Sequence, residues 1–369
     1  MSSFLVPPGG PYLLTHSVGC LPRVAREALD VNFLRPWADR GGNAWPDWLK
    51  QVDEFRVALA QLFGGTPAEY CPQSNLSSGL SKLLLALPDS HVGKQVLLAA
   101  EDSFPSLGFV LQKAGRQGLE TRLIPRARVP DDIDTWSQAL TADVRVALVT
   151  HVHSNTGRVA PVEAIARLCQ ERGILCVVDV AQSAGILPLR FPALGADVVL
   201  GSCIKWLCGG PGAGFLWIRS GLIEDLQPVD VGWFSHEDPF EMDIHSFRYA
   251  PDARRFWGGT PSVAPCVIAA ASLRHLHTLG VEAIHAHNRR LIGTFKEALP
   301  PAWRARLPAW PIGGTLCISL GGEFDPVTRS LEQSGAQFDS RGDVIRVSFH
   351  ACNTEDDALR VARDWPGDR

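Results

Sequence analysis

Short apolar runs alternating with helix-patterned stretches in the middle of this chain restrict its fold more than any other feature. Gln95–Ala100, Thr121–Pro125, Val144–Val152, Ile174–Val180 and Asp197–Leu200 each read as a strand. Val144–Val152, rich in Val, Ala and Leu, reads as buried on both faces. Between them, Pro105–Gly118 is predicted to be helical. Pro161–Arg172 places apolar residues at Val162, Ile165 and Cys169, with proline in its first turn, which also predicts a helix. Gly214–Arg219 returns as one more strand. Short buried strands joined by helical crossovers build a mainly parallel sheet with helices on both faces. Ligands then bind beyond the carboxyl ends of the strands.

The texture changes after about Trp257. Two helices (Pro261–Leu279 and Val281–Leu299) precede a strand at Thr315–Leu320, a helix at Pro326–Ser334, a strand at Val344–Phe349 and a final helix at Thr354–Trp365. This is a smaller α+β unit. At 369 residues the chain has room for one large and one small domain. The expected division is an N-terminal segment over 1–50, a large unit over 51–256 and a small unit over 257–369. The first segment reads as turn-rich, with one helix at Leu21–Leu29, packing on the small unit.

A net charge of −4 offers no attraction for nucleic acid or an anionic membrane. No apolar run approaches the roughly 18–20 residues of a membrane span, and the first ten residues lack the pattern of a secretory signal. The nine cysteines are scattered, odd in number and never spaced C-x-x-C. They read as reduced, mostly buried thiols of a cytoplasmic protein, with no structural zinc expected.

Two strand ends carry the chemistry. Ile174–Val178 delivers Asp179, and Asp197–Leu200 leads through Gly201-Ser202-Cys203-Ile204 to Lys205 and Trp206. A lysine in apolar surroundings and a carboxylate emerging from Cys176-Val177-Val178 suit pyridoxal phosphate (PLP). The lysine forms the Schiff base, and the acid partners the pyridinium nitrogen. A helix-capping aspartate is the competing reading of Asp179. Ser74-Asn75-Leu76-Ser77-Ser78-Gly79, ahead of Leu80–Leu87, offers backbone N–H groups and hydroxyls to a phosphate, or an ordinary serine-capped helix start. The run Gly209–Gly214 has no G-K-[ST] and reads as a turn.

The patterns Asp179-x-x-Gln182, Gly201-Ser202-x-x-Lys205-Trp206, and Ile345–Ser348 followed by Asn353–Asp357 together resemble the aminotransferase class V group of fold-type I PLP enzymes. The resemblance spans nearly the whole chain. It implies an α/β fold-type I transferase architecture with a seven-stranded sheet, an aldimine at Lys205, Asp179 on the ring nitrogen and Gln182 on the ring oxygen. It further implies Ser202, Leu76 and Ser77 at the phosphate, Phe104 over the ring, and Arg346 on the substrate α-carboxylate, where a guanidinium fork matches a carboxylate.

Within that group, Val231–His236, Arg255–Pro261, His16-Ser17-Val18-Gly19 and Asp339-Ser340-Arg341 look most like kynureninase. That likeness implies Trp233 and Thr260 near the phosphate, the threonine reaching the other subunit of a homodimer, and Ser17 near the substrate. Gln182 and Ile204 depart from the histidine and tyrosine of kynureninases, and Leu34–Trp48 shows no ring-holding histidine. Gln182 is similar to cysteine desulfurases, yet Gly321–Ile345 holds no cysteine, which disfavours persulfide formation. The expected activity is a PLP-dependent lyase or hydrolase cleaving C–S or C–C at Cβ of a small L-amino acid. Alternatives are a class V aminotransferase, an isopenicillin-N-epimerase-like epimerase, or a binding protein that has lost catalysis. His151, His153 and His236 are further possible acids or bases, and Ser154 and Asn155 lie one position from a cofactor-contacting asparagine of the group.

Overall fold

The computed structural model describes residues 3–88, 93–128 and 131–365. Its centre is a seven-stranded sheet built from β1 (Tyr70–Gln73), β2 (Val96–Ala100), β3 (Glu120–Ile124), β4 (Val144–Thr150), β5 (Leu175–Asp179), β6 (Val198–Ser202) and β7 (Gly214–Ile218). The spatial order is β1-β7-β6-β5-β4-β2-β3, and only β7 pairs antiparallel to its neighbours. The alternation of side chains along each strand sends Ala147, Val149, Cys176 and Val178 into one core, and Val146, Leu148 and Val177 into the other. Helices α1 (Trp45–Phe63), α4 (Val162–Glu171) and α5 (Val263–Leu279) cover the first face. Helices α2 (Leu76–Leu85) and α3 (Pro105–Lys113) cover the second.

In register, Thr150 lies beside Asp179 and Asp179 beside Leu200. The ends of β4, β5 and β6 therefore form one ledge, from which Thr150, Asp179 and Ser202 emerge together.

A second, antiparallel sheet has the order β8 (Thr315–Ser319), β10 (Val344–Ser348), β9 (Asp339–Arg341). It packs with α6 (Val281–Ala298), α7 (Phe324–Gln333) and α8 (Glu355–Arg363) around Phe295, Leu316, Val347, Phe349 and Trp365.

The predicted strands and helices after residue 95 recur within a few residues. The first 63 residues differ from expectation. Beyond helical Arg23–Leu29 the chain continues through a π-helical turn at Asp30–Leu34 and a helical turn at Arg35–Arg40, then into α1. The sequence carries this signal: Pro46 in the first turn, then Val52, Phe55, Leu59 and Leu62 on one face, all buried. Position 50 lies inside α1, which packs along α5. Upstream, Leu13 N–H donates to the Gln337 carbonyl at 2.8 Å and the Ser348 N–H to the Leu13 carbonyl at 3.3 Å, anchoring the N-terminal segment on the small sheet.

Candidate active site

Asp179 closes β5, a strand buried almost throughout, so its carboxylate cannot turn to bulk water. One oxygen accepts the Ala181 N–H at 2.8 Å. Burial pushes its proton affinity up, opposed by that N–H and by the positive potential of Lys205 and His153. Among the described residues it forms no salt bridge. A buried carboxylate in this state is stabilised by a cation that completes its shell.

Lys205 is held by a tight turn beyond β6. The Cys203 N–H meets the Ala213 carbonyl at 2.8 Å, the Gly209 N–H meets the Cys203 carbonyl at 2.6 Å, and Trp206 is fully buried. From the N-terminal segment, Gly19 N–H donates to the Ile204 carbonyl at 2.8 Å. The approach is so close that a Cβ on Gly19 would lie 2.2 Å from the Lys205 carbonyl oxygen. The lysine amine makes no hydrogen bond or ion pair among the described residues, and it stands 5.5 Å from the Phe104 ring centroid. Burial drives its pKa down to about 8, helped by Arg346 and Arg341 and opposed by Asp179. A substantial neutral fraction near pH 7–8 is what a Schiff-base lysine requires.

Between these groups lies a cavity of about 180 Å³, lined by Asp179, Gln182, Ser202, Lys205, Phe104, Thr150 and Ser154 and by the start of α2. There Asn75 caps the helix, its side-chain oxygen accepting the Ser78 N–H at 2.9 Å. The N–H groups of Leu76 and Ser77 in the first turn have no intrahelical acceptor, and both residues line the cavity. Gln182 is clamped: its oxygen accepts from Trp206 Nε1 at 3.2 Å and its amide donates to the His16 carbonyl at 3.0 Å. One amide hydrogen stays available to the cavity. A phosphorylated pyridine aldehyde fits this donor set: acid, amine, helix start and aromatic ring around one small cavity.

At the other end of the site, Arg346 is buried on β10. Its Nε donates to Asp339 Oδ1 at 2.8 Å, its Nη2 meets Asp339 Oδ2, and its Nη1 points at the Ser154 carbonyl at 3.4 Å. The same carboxylate meets His16 Nε2 at 2.9 Å. His16 Nδ1 lies 2.9 Å from the Ser348 hydroxyl. Burial would push Asp339 up, but the hydrogen bonds from His16 and Arg346 outweigh it and hold the carboxyl down to about 2. His16 is itself pushed toward its neutral form by burial.

Of the residues singled out in the sequence, Lys205, Asp179, Gln182, Ser202, Leu76, Ser77 and Phe104 line this one cavity, and so does Ser154. Asn155 instead accepts from Arg341. Trp233, Thr260, Ser17 and Arg346 do not line it, Arg346 being held on β10 by Asp339. Trp233 packs against Trp45 and Phe234. Thr260 lines a separate cleft with Ser74 and Lys82. Ser17 closes a backbone turn onto Leu14 at 2.7 Å. His153 pairs with Asp102 at 3.1 Å, His151 with Ser183 at 3.0 Å, and His236 lies between the Asp238 and Ser246 carbonyls. Sequence reasoning passed over His16, Asp339, Arg341 and Thr150 as site residues. The i, i+2 spacing of Asp339 and Arg341 ahead of Arg346 was the available signal, since it puts both on one strand face.

The sequence profile described as Aminotransferase class-V matches residues 51–310. Kynureninase of Deinococcus radiodurans is 33% identical over 301 residues, covering 79% of this chain and 71% of that protein. Isopenicillin N epimerase of Streptomyces clavuligerus is 28% identical over 333 residues, covering 84% and 82% respectively. In structure, a lysine-to-alanine variant of C-DES, solved with glycine covalently linked to its PLP cofactor, superposes with a TM-score of 0.86 over 96% of each chain at 22% identity. With the profile covering most of the chain, this protein belongs to the class-V aminotransferase family, with the fold-type I architecture, and is a PLP-dependent enzyme that acts on amino acids.

Proposed function

We propose that this enzyme cleaves a bond at Cβ of a small L-amino acid, as a kynureninase-like lyase or hydrolase. The observation that carries this reading is the 33% identity to a kynureninase across 79% of the chain. Bound PLP supplies an electron sink that labilises bonds around Cα and Cβ. The remaining work falls to side chains. Lys205 is the covalent partner and, once released, the base that moves the Cα proton. Its apolar shell keeps a neutral fraction available near neutral pH. Asp179 would hold a proton at the ring nitrogen, and Gln182 would orient the ring by donating its remaining amide hydrogen to the ring oxygen. Leu76, Ser77 and Ser202 receive the phosphate, and Phe104 covers the ring. Arg346, with its Nε edge fixed by Asp339, offers its Nη1 end to the α-carboxylate.

The epimerase relative, aligned over 84% of the chain, supports a second reading in which Lys205 only moves the Cα proton. Transamination is a third outcome of the same test. We further propose a cytoplasmic homodimer in which Trp233 and Thr260, both away from the cavity within one chain, serve the partner's phosphate. The proposed units are an N-terminal segment over 1–50, a cofactor-holding unit over 51–256 and a smaller unit over 257–369, with α1 and α5 as the seam.

The test is a product assay on purified holoenzyme across S-substituted cysteines and kynurenines. Pyruvate with ammonia marks elimination, and anthranilate with alanine marks hydrolytic C–C cleavage. Inverted stereochemistry marks epimerisation, and dependence on a keto acid marks transamination. Either of the last two outcomes alone overturns the cleavage reading. Normal turnover by Lys205→Ala overturns the whole assignment.

A further inference from the structure

Phe104 lines two spaces: the cavity that holds Lys205 and Asp179, and an open groove of about 740 Å³ on its other side. The groove has an apolar wall that includes the exposed Phe109 and Leu123. Arg341, Arg126 and Glu101 also line it, and a Glu101 carboxylate oxygen accepts the Arg126 backbone N–H at 2.7 Å, with no hydrogen bond to Arg341 among the described residues. Arg341 is half-buried, and its guanidinium stands 5.5 Å from the Phe104 ring centroid, the same distance at which Lys205 approaches that ring.

Arg341 is pinned from one corner only. Its Nη1 donates to Ser154 Oγ at 2.8 Å and to Asn155 Oδ1 at 2.5 Å, while Nε and Nη2 have no acceptor among the described residues. Arg346 differs, since Asp339 takes its Nε and Nη2. At this end of the site Arg341 and Arg346 thus carry two positive charges against the single negative charge of Asp339. The α-carboxylate proposed for the Nη1 end of Arg346 offsets that excess, so what an acidic side chain would meet is the Nε–Nη2 edge of Arg341, which has no anionic partner among the described residues. Burial and the neighbouring Arg346 weaken Arg341's hold on its proton, opposed by Asp339.

We propose that the substrate side chain passes Phe104 into this groove and carries an acidic group, received by the open Nε–Nη2 edge of Arg341. This rests on the reading of the cavity as an amino-acid site and names the substrate class: amino acids with a carboxylate or similar oxyacid beyond Cβ. Arg341 is then a specificity-determining residue, and the Ser154–Asn155 turn is its support.

The experiment measures dissociation constants of holoenzyme from the change in its visible absorption, without relying on turnover. S-Carboxymethyl-L-cysteine is compared with the neutral S-propyl-L-cysteine, and L-aspartate and L-glutamate with L-alanine. The acidic member of each comparison is expected to bind at least about tenfold more tightly, as a charge-assisted fork predicts. Arg341→Gln is expected to bring the S-substituted pair within about twofold, and Arg341→Lys to retain part of the preference. Equal binding of acidic and neutral ligands by the unmodified enzyme overturns the proposal. So does an equal weakening of both by Arg341→Gln, because an arginine that only ties the hairpin to the Ser154 turn acts on every ligand alike. A holoenzyme whose spectrum responds to no amino acid overturns the underlying site reading, and this inference with it.

Discussion

Replacing Lys205 by methionine should make the cofactor-free protein more stable while ending its catalysis. The amine lines a small cavity with Phe104, Leu107 and Val152 and with the strand-end groups Thr150, Asp179 and Ser202, and it has no hydrogen-bond partner among the described residues. Its pKa falls from 10.5 to about 8. At roughly 1.4 kcal/mol for each tenfold change in proton affinity, folding works against about 3 kcal/mol to seat this lysine. The direction with pH follows from proton counting. Below pH 8 both states hold the proton and the native state bears the full penalty. Between pH 8 and 10.5 the unfolded chain still binds the proton and the native chain does not, so stability rises with pH and the penalty fades.

Urea unfolding of cofactor-free protein and of Lys205→Met from pH 6 to 10.5 measures this directly. The variant should be more stable by up to about 3 kcal/mol below pH 8. That advantage should shrink to a fraction of its value by pH 10.5. The lost attraction between Lys205 and Asp179 reduces the gain, because Asp179 is already pushed toward protonation by its burial. A constant offset from the methionine's apolar surface has no pH dependence and can be subtracted. A difference that stays flat with pH would refute the reasoning, since the amine would then be solvated in the folded protein.

Asp179→Asn should keep the fold and the cofactor's visible absorption yet lower kcat by on the order of 100-fold or more, read in single-turnover assays. Gly19→Ala forces a Cβ to within 2.2 Å of the Lys205 carbonyl and 2.7 Å of Cys208 Sγ. It should cost about 1–3 kcal/mol in urea unfolding, and its activity should drop through misplacement of Lys205. His16→Ala removes a donor from Asp339 and should cost about 1–3 kcal/mol. It should also raise KM more than it lowers kcat, because Arg346 loses its fixed partner. An unchanged KM would count against that coupling.

The inner sheet was legible because β2, β4, β5 and β6 are short runs dominated by Val, Leu, Ala and Cys. Burial of these strands on both faces made period-two alternation unnecessary as a signal. Asp179 and Lys205 stood out because they sit at or just beyond the ends of strands buried on both faces, whereas Gln182 stood out only through the family resemblance. Of the helices before residue 63, Arg23–Leu29 was legible, but the helical turns that follow it were hidden because Gly41, Gly42 and a π-helical turn interrupt them, and sequence reasoning passed over the periodicity of α1. The carboxylate-binding end was only half legible. Arg346 stood in a recognisable motif, but the pairing of Asp339 with it depends on a hairpin register, and His16 comes from more than 300 residues away along the chain. No local pattern encodes a contact of that separation.

That distant contact explains why the N-terminal segment is integral to the site. Leu13 is buried in the small-sheet core and its carbonyl accepts from the Ser348 hydroxyl at 2.7 Å. Three residues later the His16 ring fixes Asp339, while the carbonyl of the same residue holds the Gln182 amide. Three residues further, Gly19 supports the turn that presents Lys205. A segment of seven residues thus touches Arg346 through Asp339, Gln182 directly, and Lys205 through its backbone. A shift of the small sheet relative to the large one must therefore move Arg346 and Gln182 together. Because packed side chains such as these adopt discrete arrangements and do not deform continuously, the positions of Arg346 and Gln182 are coupled through His16, and under the proposed function substrate grip and cofactor orientation would be coupled with them.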